Sequence, residues 1–408
     1  MPGVFASSTN DHGFDRDRLG RLDAVLHRYV DGGKIPGVQT LVSRHGELVH
    51  RDLYGLTDLE AGTKVAPETL YRIYSMTKPV TSVALMMLFE EGAFLLENPV
   101  TRWLPELADL RVWVGGTADA PETRPLETPL TVHHVLTHTS GLTYGFQFAH
   151  PVDELYRRAD LGNFNVPDYD LDECLGRLGQ QPLLFEPGTQ WNYSMSTDVC
   201  GALVERISGV PLDEFLRTHI FEPLGMADTG FSAPESELDR CSVLYACTPT
   251  DKMLPMAPAR SMTRPPTYLS GGGGLVSTAD DYLRFCHLLA GGGAVDGVRL
   301  LSPRTLRFMA TNHLPGGRTL NEMGQTTFAE VAMEGTGFGL GFSVLVDPAA
   351  NQTLGSKGIY GWGGAASTAF WIDPADDLAV VFMTQLLPSN TYPLRRHLQA
   401  GVYQALLD

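Results

Sequence analysis

Between residues 16 and 30 the apolar side chains fall at Leu19, Leu22, Val25, Leu26 and Val30. That three- and four-residue spacing predicts an amphipathic helix. Leu394 to Leu407 repeats it near the other end of the chain. Strand patterns lie just inside these helices. Val38 to Ser43 and Leu48 to Tyr54 flank Arg44-His45-Gly46, and Ser367 to Ile372 and Leu378 to Gln385 flank Asp373-Pro374-Ala375-Asp376-Asp377. Each pair predicts a hairpin. Gly339 to Val346 is expected to form one more strand. Pro79 to Phe89 is apolar nearly all round, the pattern of a helix buried on most sides. From about Thr81 to Tyr268 the chain reads as helical and loop-rich, with helices over Thr197–Ile207 and Leu212–Ile220. Strands at both ends and helices between predict an α+β fold. One antiparallel sheet, flanked by the terminal helices, would be built from residues 1–80 and 269–408. A mostly helical subdomain, 81–268, would be inserted between them.

A length of 408 residues exceeds what one simple core usually holds, which agrees with two subdomains. The formal charge of −17 argues against nucleic acid or an anionic membrane as partner, since both select basic surfaces. The five cysteines are widely spaced with no C-x-x-C pair, so neither a disulfide framework nor a zinc site is expected. Residues 1–12 carry no apolar signal-like run, and no stretch is long enough to span a bilayer. A cytoplasmic protein is the expectation, and homo-oligomerisation is left open.

Candidate chemistry starts at Ser75-Met76-Thr77-Lys78, where the long apolar run opens. Positions i and i+3 share a helix face, so the Lys78 amine can reach the Ser75 hydroxyl. A serine needs a base beside it, and a lysine serves only if burial or another cation lowers its pKa. Proline is tolerated near a helix start, so Pro79 predicts that the helix begins close to Ser75, at the positive end of its dipole. Lys78 is the only one of five lysines with a serine three positions earlier. Gly-x-Ser-x-Gly, the nucleophile elbow of another hydrolase fold, is absent. His134 and His138 are spaced for one helix face, but the glutamate of a zinc-protease motif is missing. No metal or other cofactor is expected. A triad through His138 has no local motif behind it. Tyr193 follows a Pro187-Gly188 turn, and Trp362-Gly363-Gly364 offers a close approach to backbone. Gly271–Gly274 lacks the Lys-Ser/Thr of a phosphate loop and reads as a turn into the sheet.

Ser75-Met76-Thr77-Lys78, Tyr193-Ser194-Met195 and Trp362-Gly363-Gly364 resemble, in order and rough spacing, the motifs of the serine β-lactamase and penicillin-binding protein superfamily. Leu136-Thr137-His138-Thr139-Ser140-Gly141-Leu142, Phe185-Glu186-Pro187-Gly188, Pro223-Leu224-Gly225-Met226 and Gly273-Gly274-Leu275-Val276-Ser277-Thr278 resemble its class C branch. The nearest likeness is to the family VIII carboxylesterases, and it runs from about residue 20 to 400. The resemblance implies a β-lactamase-like fold with the active site in the cleft between the subdomains. It implies Ser75 as nucleophile, with Lys78 and Tyr193 handling the proton and Tyr193 acting as phenolate or shuttle. It also implies backbone N–H groups of Ser75 and Ala365 as the oxyanion hole, and Trp362, Gly363 and Gly364 along the pocket. Two departures bear on substrate. Trp362-Gly363 replaces the cation and hydroxyl of the third motif, and Met195 replaces an asparagine. Both point to small neutral esters with short acyl groups. Asp198 is expected to tune Lys78 or Tyr193, or only to pair locally. An acyltransferase, a β-lactamase or D-amino-acid peptidase, and a non-enzymatic binding or sensor protein are the alternatives. Intact Ser75, Lys78 and Tyr193 weigh against the last.

Overall fold

The structure is a computed structural model and describes residues 11–163, 167–250, 252–324 and 329–407. Asp15 accepts the Arg18 N–H and so starts helix α1 (Arg16–Asp31), whose buried stripe is Leu19, Leu22 and Leu26. Strands β1 (Gly37–Arg44) and β2 (Glu47–Asp58) follow, joined by a two-residue loop with Arg44 opposite Glu47. His45 and Gly46 both take positive φ, 55° and 77°, as the tightest hairpin turn requires. β3 (Thr63–Lys64) ends this edge. The remaining strands come from the far end of the chain: β4 (Thr336–Phe338), β5 (Ser343–Leu345), β6 (Tyr360–Gly363), β7 (Ala369–Asp373) and β8 (Leu378–Met383). They form one eight-stranded sheet in the order β4-β5-β6-β7-β8-β1-β2-β3. Every neighbouring pair is antiparallel.

The alternation of β-strand side chains divides the interior in two. Val38, Val42, Val380, Phe382 and Trp371 face the terminal helices and pack with Leu22 and Leu26 of α1. Leu398 and Val402 of α5 (Leu394–Tyr403) close the same layer. Leu41, Val381, Met383, Phe370 and Trp362 face the opposite way, into a larger core. That core includes α2 (Thr77–Glu90), α3 (Ser196–Ser208) and α4 (Ala279–Ala290). The expected α+β architecture, an antiparallel sheet with terminal helices, is therefore observed. Among the described residues no helix is long and apolar enough to cross a membrane.

Two local expectations are corrected. Gly339–Val346 is not one strand: β4 ends at Phe338, a turn follows, and β5 begins at Ser343. Gly341 sits in that turn at φ 93°, where an added Cβ would overlap Ser82. Leu212–Ile220 is helical as expected, α to Leu216 and π-type over Arg217–Phe221. The middle of the chain also contains two hairpins that the pattern did not predict. Arg111–Thr117 pairs with Ala120–Pro125, a largely exposed pair without an apolar face to alternate. Leu244–Cys247 pairs with Met253–Ala257 and, in parallel, with Leu386–Leu387. That second pairing depends on residues over a hundred positions away, so no local signal marks it.

Gly341→Ala is expected to lower stability by about 1–3 kcal/mol, through positive φ and overlap with α2. A fall in the denaturation midpoint checks this, and an unchanged midpoint contradicts the fit described.

Candidate active site

Ser75 lies in a single 3₁₀ turn, Tyr74–Met76, that leads directly into α2. Tyr74 takes φ 45°, an unfavourable value for a bulky residue. Its neighbours hold it there. Ile73 N–H donates to the Leu275 carbonyl at 3.1 Å. Leu275 N–H donates to Thr77 Oγ1 at 3.2 Å, and the Tyr282 hydroxyl to the Met76 carbonyl at 2.8 Å. The Ser75 turn is thus fastened on both sides to α4 and the segment that enters it. The helix start expected from Pro79 is observed two residues after Ser75.

One turn on, Lys78 is 1% exposed. Its Nζ lies 3.3 Å from Ser75 Oγ, 2.9 Å from the Tyr144 hydroxyl and 2.6 Å from the Gly272 carbonyl. Three acceptors match the three protons of an ammonium, and a neutral amine can instead accept from one hydroxyl. Burial lowers the Lys78 pKa to about 8, against the opposing pull of Asp198, Glu330 and Cys200. The amine can therefore be neutral at mildly basic pH while it touches the serine.

Tyr193 is 1% exposed, and its hydroxyl is hydrogen-bonded to the Ser75 side chain. Trp362 Nε1–H donates to the same hydroxyl at 3.2 Å. Burial raises the Tyr193 pKa well above the usual phenol value and Glu330 adds to this, while the bonds from Ser75 and Trp362 oppose it. Of the two expected forms, phenolate or proton shuttle, burial favours the neutral phenol of a shuttle. Trp362 is itself buried and serves Tyr193 with its one polar atom. Sequence reasoning missed Tyr144. It stands two residues after the Leu136–Leu142 motif, and only the fold brings its hydroxyl to Lys78. Its ring centroid lies 5.4 Å from that of Tyr193 and 4.7 Å from Phe146, giving the site an aromatic wall.

Asp198 does more than pair locally. It sits in the first turn of α3 and accepts from Ser270 Oγ at 2.6 Å, the Tyr268 hydroxyl at 3.2 Å and Gly272 N–H at 3.3 Å. These bonds fix the glycine loop whose Gly272 carbonyl holds Lys78. A Cβ on Gly272 would overlap the Asp198 carboxylate, and one on Gly271 would come 2.8 Å from the Thr197 carbonyl. Glycine is needed because the loop is pressed between α2 and α3.

His138 does not join Ser75. Its Nδ1 is 3.1 Å from Ser194 Oγ and its Nε2 3.4 Å from Thr197 Oγ1. Burial drives its pKa well below the usual imidazole value, so it acts as a neutral strut behind Tyr193. Nor do His134 and His138 share a helix, because the helix they were expected to share ends at Leu136 and His138 takes φ 55°. Among the described residues no group of three or more His, Cys, Asp or Glu could hold a metal.

Gly364 is packed so closely against the carbonyl of Ile73, two residues before Ser75, that a Cβ would overlap it. Gly364 N–H donates to the Thr368 carbonyl at 3.0 Å, and Ser367 N–H returns to the Gly364 carbonyl at 3.0 Å. Among the described residues, Ser75 and Ala365 N–H have no backbone acceptor. Backbone donors of this kind can receive a developing oxyanion.

Residues 22–404 match the family model described as Beta-lactamase. The chain belongs to the beta-lactamase family. Within the family, Esterase EstB of Burkholderia gladioli is 36% identical over 405 residues, covering 94% of each chain. Protein Rv1367c of Mycobacterium tuberculosis is 36% identical over 368 residues, covering 90% of this chain and 89% of that one. Among solved structures, EstCE1, described as a hydrolase with promiscuous acyltransferase activity, superposes with a TM-score of 0.81 at 27% identity. It covers 95% of this chain and 99% of its own. The β-lactamase-like fold expected from the motifs is borne out.

Asp198 raises the Lys78 pKa, so Asp198→Asn should lower it further. Any activity that needs the neutral amine should then keep its acidic limb but move it to lower pH. A shift to higher pH, or none, in the pH profile of kcat/KM would contradict the coupling.

Proposed function

We propose that the protein is a serine carboxylesterase that hydrolyses short-chain neutral esters through an acyl-enzyme on Ser75. The observation that carries this reading is the buried Lys78 amine, 3.3 Å from Ser75 Oγ and discharged near pH 8 by desolvation. Ser75 Oγ attacks the ester carbonyl carbon. Its proton passes to Lys78, directly or through the Tyr193 hydroxyl. Ser75 and Ala365 N–H receive the oxyanion. Collapse of the tetrahedral adduct expels the alkoxide, which regains a proton from the same pair. Water then repeats the sequence on the acyl-enzyme and frees the acid. The cleft between 81–268 and the joined ends 1–80 and 269–408 would hold the substrate, with Trp362, Gly363 and Gly364 along one side. The 36% identity to an esterase along 94% of the chain supports this reaction class.

The substrate class follows from what the site lacks. Trp362 brings an indole where a carboxylate-binding cation would stand, and Met195 offers no amide. The cation behind this strand, Arg395, is taken up by Glu330 and backbone carbonyls. A substrate carboxylate would lose its hydration without a partner. A missing charge-assisted hydrogen bond costs roughly 1.5–3 kcal/mol, about one to two powers of ten. Acyl transfer to an alcohol uses the same residues up to the acyl-enzyme, and the likeness to EstCE1 favours it as the second reading.

Ser75→Ala should fold and lose ester hydrolysis by on the order of several powers of ten. Lys78→Arg should also be inactive, because guanidinium keeps its proton. Near-normal turnover of a short-chain nitrophenyl ester by either variant would overturn the corresponding role. In the wild type, kcat/KM for that ester should exceed kcat/KM for a cephalosporin. The reverse order would support a β-lactamase instead. For the wild type, kcat/KM should rise with pH through an apparent pKa near 8 that belongs to the coupled Lys78–Tyr group.

A further inference from the structure

We infer that Arg395 is a positioning residue for the oxyanion hole, acting through the Gly364–Ala365 peptide. This rests on the acyl-enzyme reading above, in which Ala365 N–H is one of the two donors. Arg395 belongs to the first turn of α5, the positive end of a helix dipole and an unfavourable place for a cation. Its surroundings account for it. Nη2 lies 2.7 Å from Glu330 Oε2, 2.9 Å from the Gly364 carbonyl and 2.9 Å from the Thr368 carbonyl. Nη1 donates to the Glu330 carbonyl. The Glu330 side chain is fully buried, and its carboxylate offsets the guanidinium charge.

The contact selects Gly363. The side chains of β6 alternate, with Tyr360 and Trp362 toward the catalytic core. Position 363 therefore faces α5, and a Cβ there would overlap the Arg395 guanidinium. The residue that replaces the third-motif hydroxyl thus makes room for a cation behind the strand. That cation meets two carbonyls of the turn that presents Ala365, those of Gly364 and Thr368. The Gly364 carbonyl receives two donors, Arg395 Nη2 and Ser367 N–H. The other end of the same peptide is Ala365 N–H. A charged donor on a carbonyl polarises its peptide and strengthens the N–H as a donor, and it also fixes the plane of the peptide. Oxyanion stabilisation depends on that preorganisation.

Removing an oxyanion donor outright costs roughly 10²–10³-fold in kcat. Misaligning one should cost less, so Arg395→Met is expected to lower kcat for a nitrophenyl ester by about 10- to 100-fold. KM should stay near wild type, because Arg395 lies behind the strand and its bonds go to Glu330 and backbone carbonyls. The inhibition constant of a small alkylboronic acid, whose tetrahedral adduct places an anion in the hole, should rise by the same factor as kcat/KM falls. Millimolar guanidinium added to Arg395→Ala should restore part of kcat. A structural role alone would lower the denaturation midpoint without coupling boronate affinity to kcat. If Arg395→Met does not fold, Arg395→Lys takes the same measurements. A folded variant with wild-type kcat, or with kcat lost while boronate affinity stays unchanged, overturns the inference. Ser75→Ala with Arg395 intact is the separate control, since retained activity there would sink the acyl-enzyme reading itself.

Discussion

A lysine with 1% of its surface exposed is the constraint around which this site is built. Taking an ammonium out of water is costly, and the group responds by giving up its proton more readily. In water Lys78 would be charged at neutral pH and useless as a base. Inside the fold it is held by oxygens from three parts of the chain: Ser75, Tyr144 and the Gly272 carbonyl. That cage tolerates either protonation state, which a proton-transfer group needs. The two carboxylates that act on it, Asp198 and Glu330, limit how far burial discharges it.

Much of the surrounding structure serves this cage. Asp198 fixes the glycine loop that carries the Gly272 carbonyl, and the glycines let that loop lie between α2 and α3. Tyr74 is kept at an unfavourable φ so that Ser75 faces Lys78. The sheet, assembled from both chain ends, brings Trp362 to the Tyr193 hydroxyl and Gly364 against the Ile73 carbonyl, two residues before Ser75. The outer layer takes part as well, because α5 sends Arg395 back through the gap left by Gly363.

What could be read from the chain depended on how local its cause was. Ser75 and Lys78 are three apart on one helix, and a buried run marks that helix. The β1–β2 hairpin announces itself through His45-Gly46, and α1 through its leucine stripe. Tyr193 and Trp362 were marked by neighbouring glycines and given roles by the family resemblance; the fold brings Tyr193 to Ser75 and Trp362 to Tyr193. Tyr144 and Arg395 were not legible, because nothing near either residue says that it reaches the site. Gly341 hid a turn inside an apparent strand, since its φ reflects contact with Ser82 of α2. Of the two roles the resemblance implied for Tyr193, phenolate or shuttle, burial favours the neutral shuttle, and burial is something a motif cannot report.

The central claim is that burial discharges Lys78 in the folded protein. Lysine ε-¹³C labelling and NMR across a pH titration test it most directly. The chain has only five lysines, so Lys78→Met identifies the resonance by its loss. The account predicts that this resonance titrates near pH 8 in the folded protein and moves lower in Asp198→Asn. Titration of the Lys78 resonance at the ordinary lysine value of about 10.4 would contradict it.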